Sequence, residues 1–212
     1  MGVKERRERE RTETREKILE AARFLFIEQG YEGVSMRKIA DRIEYSPTAI
    51  YMHFADKEEL FNEICHEDFR KLAHSMAGLA QIPDPVERLK TIGRAYIEFG
   101  LQNPNHYRSM FMTPHPAIPP SEAELKDKGN PEEDAYELLR TTVRSSLKAG
   151  AFRDHLSDVD LIAQTLWAGV HGVVSLQIAK CNEDWVPWCD IKLRAQTMTN
   201  ALFQGLLKPE RS

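Results

Sequence analysis

The chain has 212 residues, of which 42% are hydrophobic, and this suits one large or two small globular domains. No apolar run approaches 18 residues and the charged N-terminus lacks the apolar segment of a secretory signal, so we expect no membrane span and a cytoplasmic protein. The net charge of −4 does not exclude a nucleic-acid partner. Residues 1–55 carry 11 Lys and Arg against 10 Asp and Glu, so the acidic excess lies in the rest of the chain.

The N-terminal stretch is dominated by charge. The first 17 residues contain 7 basic and 5 acidic side chains and almost no apolar ones. We interpret residues 1–13 as a mobile basic and acidic arm. One alternative is a solvated helix with i,i+4 pairs such as Glu5–Arg9, and another is an arm that contacts DNA phosphates or a minor groove. An amphipathic helix is predicted from Thr14 to Gln29, where Gly30 supplies the stop.

Residues 35–54 are predicted to form two short helices joined by a tight turn. Ser35 is a good N-cap, and apolar residues follow it at helical spacing as far as Ile43. Ser46 is a second N-cap, with Pro47 at the first helical position, where its missing N–H costs nothing. The inward residues of the second helix are Ile50 and Phe54. The residues left facing outward are Pro47, Thr48, Ala49, Tyr51, Met52 and His53. Such a pair of helices is a helix-turn-helix, whose second helix can enter a DNA major groove.

The run from Phe26 to Leu60 resembles the DNA-binding domain of TetR-type regulators. The segments that carry the resemblance are Gly30-Tyr31, Ser35-Met36-Arg37-Lys38-Ile39-Ala40, Ile50-Tyr51-Met52-His53-Phe54 and Lys57-Glu58-Glu59-Leu60. The resemblance implies an all-helical homodimer that binds a palindromic operator and leaves it when a small ligand binds the larger C-terminal domain. The chain departs from the family at the turn, where Glu44 replaces the usual glycine and Tyr45 and Thr48 replace smaller residues. A positive φ at Glu44 would carry a strain of about 1 kcal/mol.

The predicted DNA-facing residues lie on or beside the two short helices. They are Arg37, Lys38, Tyr45, Ser46, Pro47, Thr48, Ala49, Tyr51, His53 and Lys57. Tyr51, His53 and Lys57 are expected to hold phosphates, the last of these by the resemblance. Thr48, with its two neighbours, is expected to meet base edges or thymine methyl groups. Two such heads about 34–36 Å apart would fit a palindromic site.

The rest of the chain is also predicted to be helical. Asp56 and Glu59 form a capping-box pattern before a long helix that runs to about Leu79. The further predicted helices cover residues 84–102, a short segment from Pro104, residues 132–149, Ser157 to about Lys180, and Pro187–Leu207. The proline-rich stretch 113–131 is predicted to be a mobile surface loop.

The run Leu161 to Ala179 contains no charged side chain. Ala168, Gly169, Gly172 and Ser175 would let a neighbouring helix approach closely. We interpret this segment and the last helix as a dimer interface of the four-helix-bundle type. The alternative is the central helix of a monomer core.

Trp167 and His171 lie four residues apart and are followed by Gly172, so they share one face of that helix. The pattern Trp-x-x-x-His-Gly resembles a subgroup of TetR-type C-terminal domains. The predicted effector-binding residues are Met76, Tyr96, Phe99, Tyr107, Phe111, Trp167 and His171. They would line an apolar cavity with one titratable group, although the same pattern is also typical of an ordinary core.

Metal binding and catalysis have little support in the sequence. Cys65, Cys181 and Cys189 lack zinc-finger spacing, and we interpret them as free or buried thiols. No phosphate loop or nucleophile elbow is present, so we expect no cofactor, no metal and no enzyme activity.

The sequence therefore predicts an all-α protein with three parts. These are an N-terminal arm (1–13), a three-helix helix-turn-helix DNA-binding domain (14–56) and a larger helical ligand-binding and dimerisation domain (57–212). We expect a dimeric repressor released by a small apolar effector. An activator or an inducer-independent DNA-binding protein is the main alternative, and an enzyme with an incidental helix-turn-helix is the weaker one.

Overall fold

The computed structural model describes residues 2–115, 117, 119–120 and 122–209. Within these residues the chain forms ten α-helices, one 3-10 turn and, as its only strand-like contact, the isolated bridge between Phe152 and Leu207. The predicted all-α class is therefore confirmed. The helices are α1 (Val3–Gly33), α2 (Met36–Arg42), α3 (Pro47–Tyr51), α4 (Lys57–Ser75), α5 (Pro85–Gln102), α6 (Pro104–Phe111), α7 (Glu122–Asp127), α8 (Ala135–Lys148), α9 (Val159–Ala179) and α10 (Ile191–Leu206).

The chain divides into two compact units. The first comprises the chain through Phe69 together with Asn105–Lys126, and the second comprises Arg70–Pro104 together with the chain from Asp127 onward. This division by packing falls inside α4, rather than at residue 56. The functional boundaries at residues 13 and 56 remain predictions.

The N-terminal residues are helical, because α1 begins at Val3. Residues 3–13, interpreted as a mobile arm, thus adopt the alternative form of a solvated helix. Its i,i+4 ion pairs include Arg6–Glu10 at 2.8 Å and Arg9–Glu13 at 3.6 Å, and the expected Glu5–Arg9 pair stays a prediction. Such exposed pairs contribute little to the stability of the helix. Gly30, with φ +70°, interrupts the helical backbone where the sequence predicted a stop.

The first unit is built around the apolar faces of its first four helices. Its fully buried side chains include Ile18, Phe26, Ile39, Ile50, Leu60, Phe61 and Ile64. Three rings form its centre, with centroids of Phe26, Tyr31 and Phe61 5.1–5.6 Å apart. The two predicted caps are confirmed, since the Oγ of Ser35 accepts from the Lys38 N–H at 3.3 Å and that of Ser46 from the Ala49 N–H at 3.2 Å. The sequence pattern therefore places α2 and α3 correctly.

The turn between α2 and α3 contains a strained residue. Glu44 has φ +58° and is the one non-glycine residue with positive φ in the described part of the chain. The turn is held by hydrogen bonds from the Tyr45 N–H to the Ala40 carbonyl at 3.0 Å and from the Glu44 N–H to the Asp41 carbonyl at 3.4 Å. Glu44 therefore has the positive φ for which the sequence analysis expected backbone strain.

Replacing Glu44 by glycine is expected to stabilise the protein by about 0.5–1 kcal/mol. Glycine removes a left-handed strain of about 1–2 kcal/mol, but it adds backbone freedom to the unfolded chain, which offsets part of the gain. Urea denaturation followed by circular dichroism measures the change. Glu44→Ala is the matched control, because it removes the same carboxylate and keeps the Cβ strain. A stability equal for both variants would show that charge, not strain, governs this turn.

A buried ion pair joins α1 to α4 inside the first unit. Asp68 is fully buried and Arg23 is 4% exposed. The guanidinium of Arg23 donates through Nη2 to Asp68 Oδ1 at 2.7 Å and through Nε to Oδ2 at 3.1 Å. Glu20 pairs with the same guanidinium at 2.6 Å, and Nδ1 of His106 lies 2.7 Å from Asp68 Oδ1. None of these four residues was predicted from the sequence to form a cluster.

The second unit is a bundle of α5, α8, α9 and α10. Its core contains Leu89, Val143, Phe152, Ile162, Ala163, Leu166 and Phe203. The start of each of the four helices is capped by an aspartate carboxylate that accepts two backbone N–H groups. An anion is favourable at this position because the helix dipole is positive there.

Four predicted element bounds are wrong, for local reasons. The cap of α9 is Asp158, not Ser157, and its Oδ1 accepts from the N–H groups of residues 160 and 161 at 2.8 and 3.1 Å. α10 begins only after Asp190, not at Pro187. α4 ends at Ser75 instead of near residue 79, and Gly78 follows with φ +80°. The predicted loop 113–131 contains α7, which starts with acidic residues. Residues 116, 118 and 121 of that loop lie outside the described residues.

α9 packs against α5, α8 and α10, which agrees with a core helix of this unit. A Cβ added at Gly169 would lie 2.4 Å from Leu202 Cδ1 and 2.8 Å from Met198 Sδ, whereas one at Gly172 would meet no atom within 4 Å. Gly169 therefore serves a close approach to α10 of the same chain. α9 is also long and apolar enough to cross a membrane, with a mean hydropathy of 1.3. The expectation that no apolar run approaches 18 residues was wrong, although core helices of soluble proteins meet the same criterion.

Candidate nucleic-acid interface

α3 is fixed to the first unit by two buried side chains. Ile50 is fully buried and Phe54 is 2% exposed. The other side of the helix is open, with Tyr51 54% and Met52 75% exposed and with Pro47 and Thr48 exposed. Burial of an aliphatic and an aromatic side chain stabilises by about 1.5–3 kcal/mol each, so α3 is held rigidly while its outer face remains available. The predicted inward residues are confirmed, and so are four of the six residues predicted to face outward, whereas Ala49 and His53 are half-buried.

The basic residues at the start of α2 differ in their surroundings. Arg37 is exposed. Lys38 donates through Nζ to the Gly33 carbonyl at 2.7 Å and to Gln29 Oε1 at 2.8 Å. Lys38 therefore stabilises the carboxyl end of α1, where a cation is favourable. Tyr45 is half-buried against the core and Ser46 caps α3, so both position the helix.

Two predicted phosphate-binding residues have partners within the first unit. Nζ of Lys57 donates to the Tyr31 carbonyl at 3.0 Å and lies 4.1 Å from the centroid of the Tyr31 ring. Burial lowers the pKa of His53 below its usual value, and the positive charges of Arg11 and Arg15 lower it further. Both effects favour the neutral imidazole of His53 in the protein without DNA.

Arg15 lies beside α3, and the sequence analysis did not single it out. Its guanidinium carbon lies 5.4 Å from the centroid of the Phe54 ring. Its Nη1 is 2.6 Å from Glu67 Oε1, and its Nη2 pairs with Glu63. The only sequence signal was its place one turn before the apolar stripe of α1.

In the second unit, Tyr96, Trp167 and His171 are joined by hydrogen bonds. The indole Nε1 of Trp167 donates to the Tyr96 hydroxyl oxygen at 3.0 Å, and that hydroxyl lies 3.3 Å from Nδ1 of His171. Burial lowers the pKa of His171, so its imidazole is neutral at pH 7. Because an indole only donates, the Tyr96 hydroxyl oxygen accepts from Trp167, and the tautomer of His171 decides whether Tyr96 or Nδ1 donates in the second contact. Three of the seven predicted effector-binding residues are thus brought together.

This cluster continues into a second polar group on α8 and α9. The ring centroids of Tyr136 and Trp167 are 5.9 Å apart, and the Tyr136 hydroxyl donates to Asp160 Oδ1 at 3.2 Å. Arg140 donates to both Asp160 oxygens, at 2.7 and 3.1 Å. The sequence analysis missed Tyr136, Arg140 and Asp160, which were visible only as amphipathic helix residues.

The other four predicted effector-binding residues are distributed differently. Phe99 is buried in the second unit, and Met76 is buried beside a cleft of about 260 Å³ that His74, Glu133 and neighbouring residues also line. Tyr107 and Phe111 belong to the first unit, where their rings are 4.9 Å apart. Effector contact by the seven residues stays a prediction.

Metal and thiol chemistry add nothing to this site. Across the described residues, no group of three or more His, Cys, Asp or Glu side chains is placed to hold a metal ion. Cys65 is a free thiol whose pKa is raised to about 12, first by burial and then by the charge of Asp68. At pH 7 it is protonated and a poor nucleophile.

An exposed α3 on a helix-turn-helix, followed by a helical bundle, defines a DNA-binding regulator. A family model described as "Bacterial regulatory proteins, tetR family" matches residues 18–64, and one described as "Tetracyclin repressor-like, C-terminal domain" matches residues 89–185. The chain belongs to the TetR family of transcriptional regulators, whose members bind DNA operators as dimers. Membership of the Trp-x-x-x-His-Gly subgroup stays a prediction.

Individual relatives support this assignment. The chain is 41% identical over 70 residues to the HTH-type transcriptional repressor AcnR of Corynebacterium diphtheriae, which covers 32% of this chain and 37% of that protein. It is 29% identical over 117 residues to the HTH-type transcriptional activator FasR of Mycolicibacterium smegmatis, covering 55% and 53%. The solved structure of the TetR family transcriptional regulator PfmR from Thermus thermophilus has a TM-score of 0.65 at 24% identity, over 92% of this chain and 96% of that one. The matches to the curated relatives thus span only about a third to a half of their length, and those relatives are named regulators, not enzymes.

Proposed function

We propose that the protein is a cytoplasmic repressor that binds a palindromic operator as a homodimer and is released by a small effector. The observation that carries this proposal is the open face of α3, held in place by Ile50 and Phe54. The similarity to the repressor AcnR favours repression, whereas the similarity to the activator FasR keeps activation as the second candidate.

In the proposed complex, α3 lies in the major groove of each half-site. Thr48, with its two neighbours, contacts base edges or thymine methyl groups. Tyr51 holds a phosphate through its hydroxyl group, and Arg37 approaches the backbone at the start of α2, where cation and helix dipole attract the same anion. Lys57 and Lys38 contribute through the donors that their intramolecular contacts leave available.

Dimerisation is proposed to use the exposed faces of α9 and α10. Leu161 and Leu176 on α9 are 57% and 47% exposed, and Leu193 on α10 is 59% exposed. Gly172, where an added Cβ would meet no atom within 4 Å, lies on the same α9 face. Covering these apolar side chains by a second copy would bury them as a four-helix arrangement.

Replacing Leu176 by arginine is therefore expected to turn the dimer into a monomer and to weaken operator binding by at least about 100-fold. A charge that is buried in an interface without a partner costs several kcal/mol, and 1.4 kcal/mol is a factor of ten. Light scattering after size-exclusion chromatography measures the mass. Leu125→Arg is the matched control, since Leu125 is 56% exposed on α7. A dimer that survives Leu176→Arg would rule out this interface.

The effector is proposed to bind beside Tyr96, Trp167 and His171. Hydrogen-bonding groups on an otherwise apolar wall are typical of small-molecule sites, and this cluster supplies an indole, a phenol and a neutral imidazole. α4 contributes residues to both units, so a ligand with different affinities for two states could change how the α3 helices are presented.

The experiment that tests the proposal as a whole is operator selection from random DNA with the purified protein. A palindromic site bound with a steep salt dependence is the expected result. A selected site then allows metabolites to be screened for release, and a transcription assay with that site separates repressor from activator. Recovery of no enriched sequence would contradict the proposed function, and an operator complex that no metabolite dissociates would favour the inducer-independent alternative.

A further inference from the structure

The first three turns of α1 carry a line of basic side chains. Lys4, Arg7 and Arg11 are separated by three and four residues, so they lie on one face of the helix. All three are exposed. Whereas Arg6 and Arg9 pair with glutamates, none of the three has an ion pair in the described part of the chain.

This basic face continues the buried face of the same helix. The apolar residues that fix α1 in the first unit are Ile18, Ala22 and Leu25. They follow Arg11 at intervals of seven, four and three residues, which keeps them on one side of an α-helix. The basic side chains therefore lie on the same face of α1 as the apolar side chains that enter the core. They precede the first core residue of this helix, and they are exposed.

The line also begins beside α3. Arg15, one turn after Arg11, lies 5.4 Å from the centroid of the Phe54 ring at the end of the helix-turn-helix. The charges of Arg11 and Arg15 both lower the pKa of His53, so Arg11 is also within electrostatic range of this residue. The basic line is consequently an extension of the surface that presents α3.

We propose that Lys4, Arg7 and Arg11 form a second DNA-contact surface that binds the phosphate backbone beside the base pairs contacted by α3. Seven residues of helix span about 10 Å, which corresponds to about three phosphates of one strand at 3.4 Å each. The contacts carry no sequence information, so they lengthen the footprint and raise affinity without changing the preferred bases. This inference rests on the proposed function.

The test compares DNA length and salt for one variant and one control. The variant is K4Q/R7Q/R11Q, in which glutamine keeps helix propensity. The control is K17Q/K128Q/K148Q, which removes the same charge from exposed lysines elsewhere. Affinity is measured for the selected operator with and without 10 flanking base pairs on each side, at several salt concentrations. Circular dichroism establishes that the proteins are folded.

The wild-type protein and the control are expected to bind the longer duplex at least about tenfold more tightly, and the variant to lose this gain. The slope of log affinity against log salt should fall by about 0.9 for each phosphate contact removed, hence by up to about 5 for a dimer. A variant with the wild-type slope and length dependence would overturn the inference, as would a control with the same defect. If the variant shows wild-type slope and length dependence but the protein still binds its operator specifically, only this inference fails and the proposed function stands. If the wild-type protein has no specific DNA site, both the inference and the proposed function fail.

Discussion

Replacing Asp68 by asparagine is expected to lower the free energy of unfolding by about 3–5 kcal/mol, since it replaces the buried counter-charge of the Arg23 guanidinium by a neutral amide. Glu20, which also pairs with this guanidinium, is largely exposed and compensates only weakly. Arg23 is 4% exposed and makes two hydrogen bonds to this carboxylate, at 2.7 and 3.1 Å. Asparagine has nearly the same shape, so the loss reports charge and not a cavity. Nδ1 of His106, which lies 2.7 Å from Asp68 Oδ1, would face a neutral amide in place of a carboxylate. Urea denaturation followed by circular dichroism measures the effect.

The control for this prediction is a second bidentate pair that is open to solvent. Arg140 and Asp160 make two hydrogen bonds of similar length, but their side chains are 30% and 48% exposed. Asp160→Asn is therefore expected to destabilise the protein much less than Asp68→Asn. The double variant R23M/D68L should recover most of the loss, because an apolar pair of similar volume removes the unpaired charge. Equal losses for Asp68→Asn and Asp160→Asn would show that burial does not control the contribution of these pairs.

The second large effect is expected at Tyr51. Replacing it by alanine should weaken binding to every operator sequence by about 100-fold or more. A hydrogen bond to a charged group contributes about 1.5–3 kcal/mol, and a dimer loses two of them. Tyr51→Phe should show most of the same loss if the hydroxyl group holds the phosphate. Fluorescence anisotropy with labelled duplexes measures the affinities.

Thr48 should behave in a different way. Thr48→Ala is expected to change the preference between base pairs at one position of each half-site by about 1–3 kcal/mol, with little change in binding to random DNA. Met52→Ala is the control on the same surface, because Met52 is 75% exposed and has no assigned contact. If the Tyr51 and Thr48 variants both bound like the wild-type protein, α3 would not be the element that contacts DNA.

The sequence was most informative where structure depends on neighbours in the chain. The caps Ser35 and Ser46, the inward pair Ile50 and Phe54 and the break at Gly30 follow from spacing and backbone preference within a few residues. The structure has each of these features. For the same reason the helix-turn-helix was the part of the site that could be placed in advance.

The sequence was less informative where chemistry depends on which residues lie near each other in space. Lys38 was assigned to DNA because it lies in the first turn of a helix, but its ammonium group donates to the Gly33 carbonyl within the first unit. Tyr107 and Phe111 have the same aromatic spacing as a cavity wall, yet they belong to the first unit and not to the unit of Trp167. Periodicity states which face of a helix is apolar, but not which other helix covers that face.

By itself, then, the sequence determined the all-α class, the two short helices of the DNA-binding motif and the resemblance that led to the TetR family. Only the tertiary structure decided that Arg23, Asp68 and His106 form a buried cluster, that Tyr96, Trp167 and His171 share hydrogen bonds, and that Arg15 of α1 lies against the ring of Phe54. The physical reason is that helix formation is specified by residues three or four positions apart. Charge pairing and site geometry instead depend on contacts between residues as many as 75 positions apart, as for Tyr96 and His171.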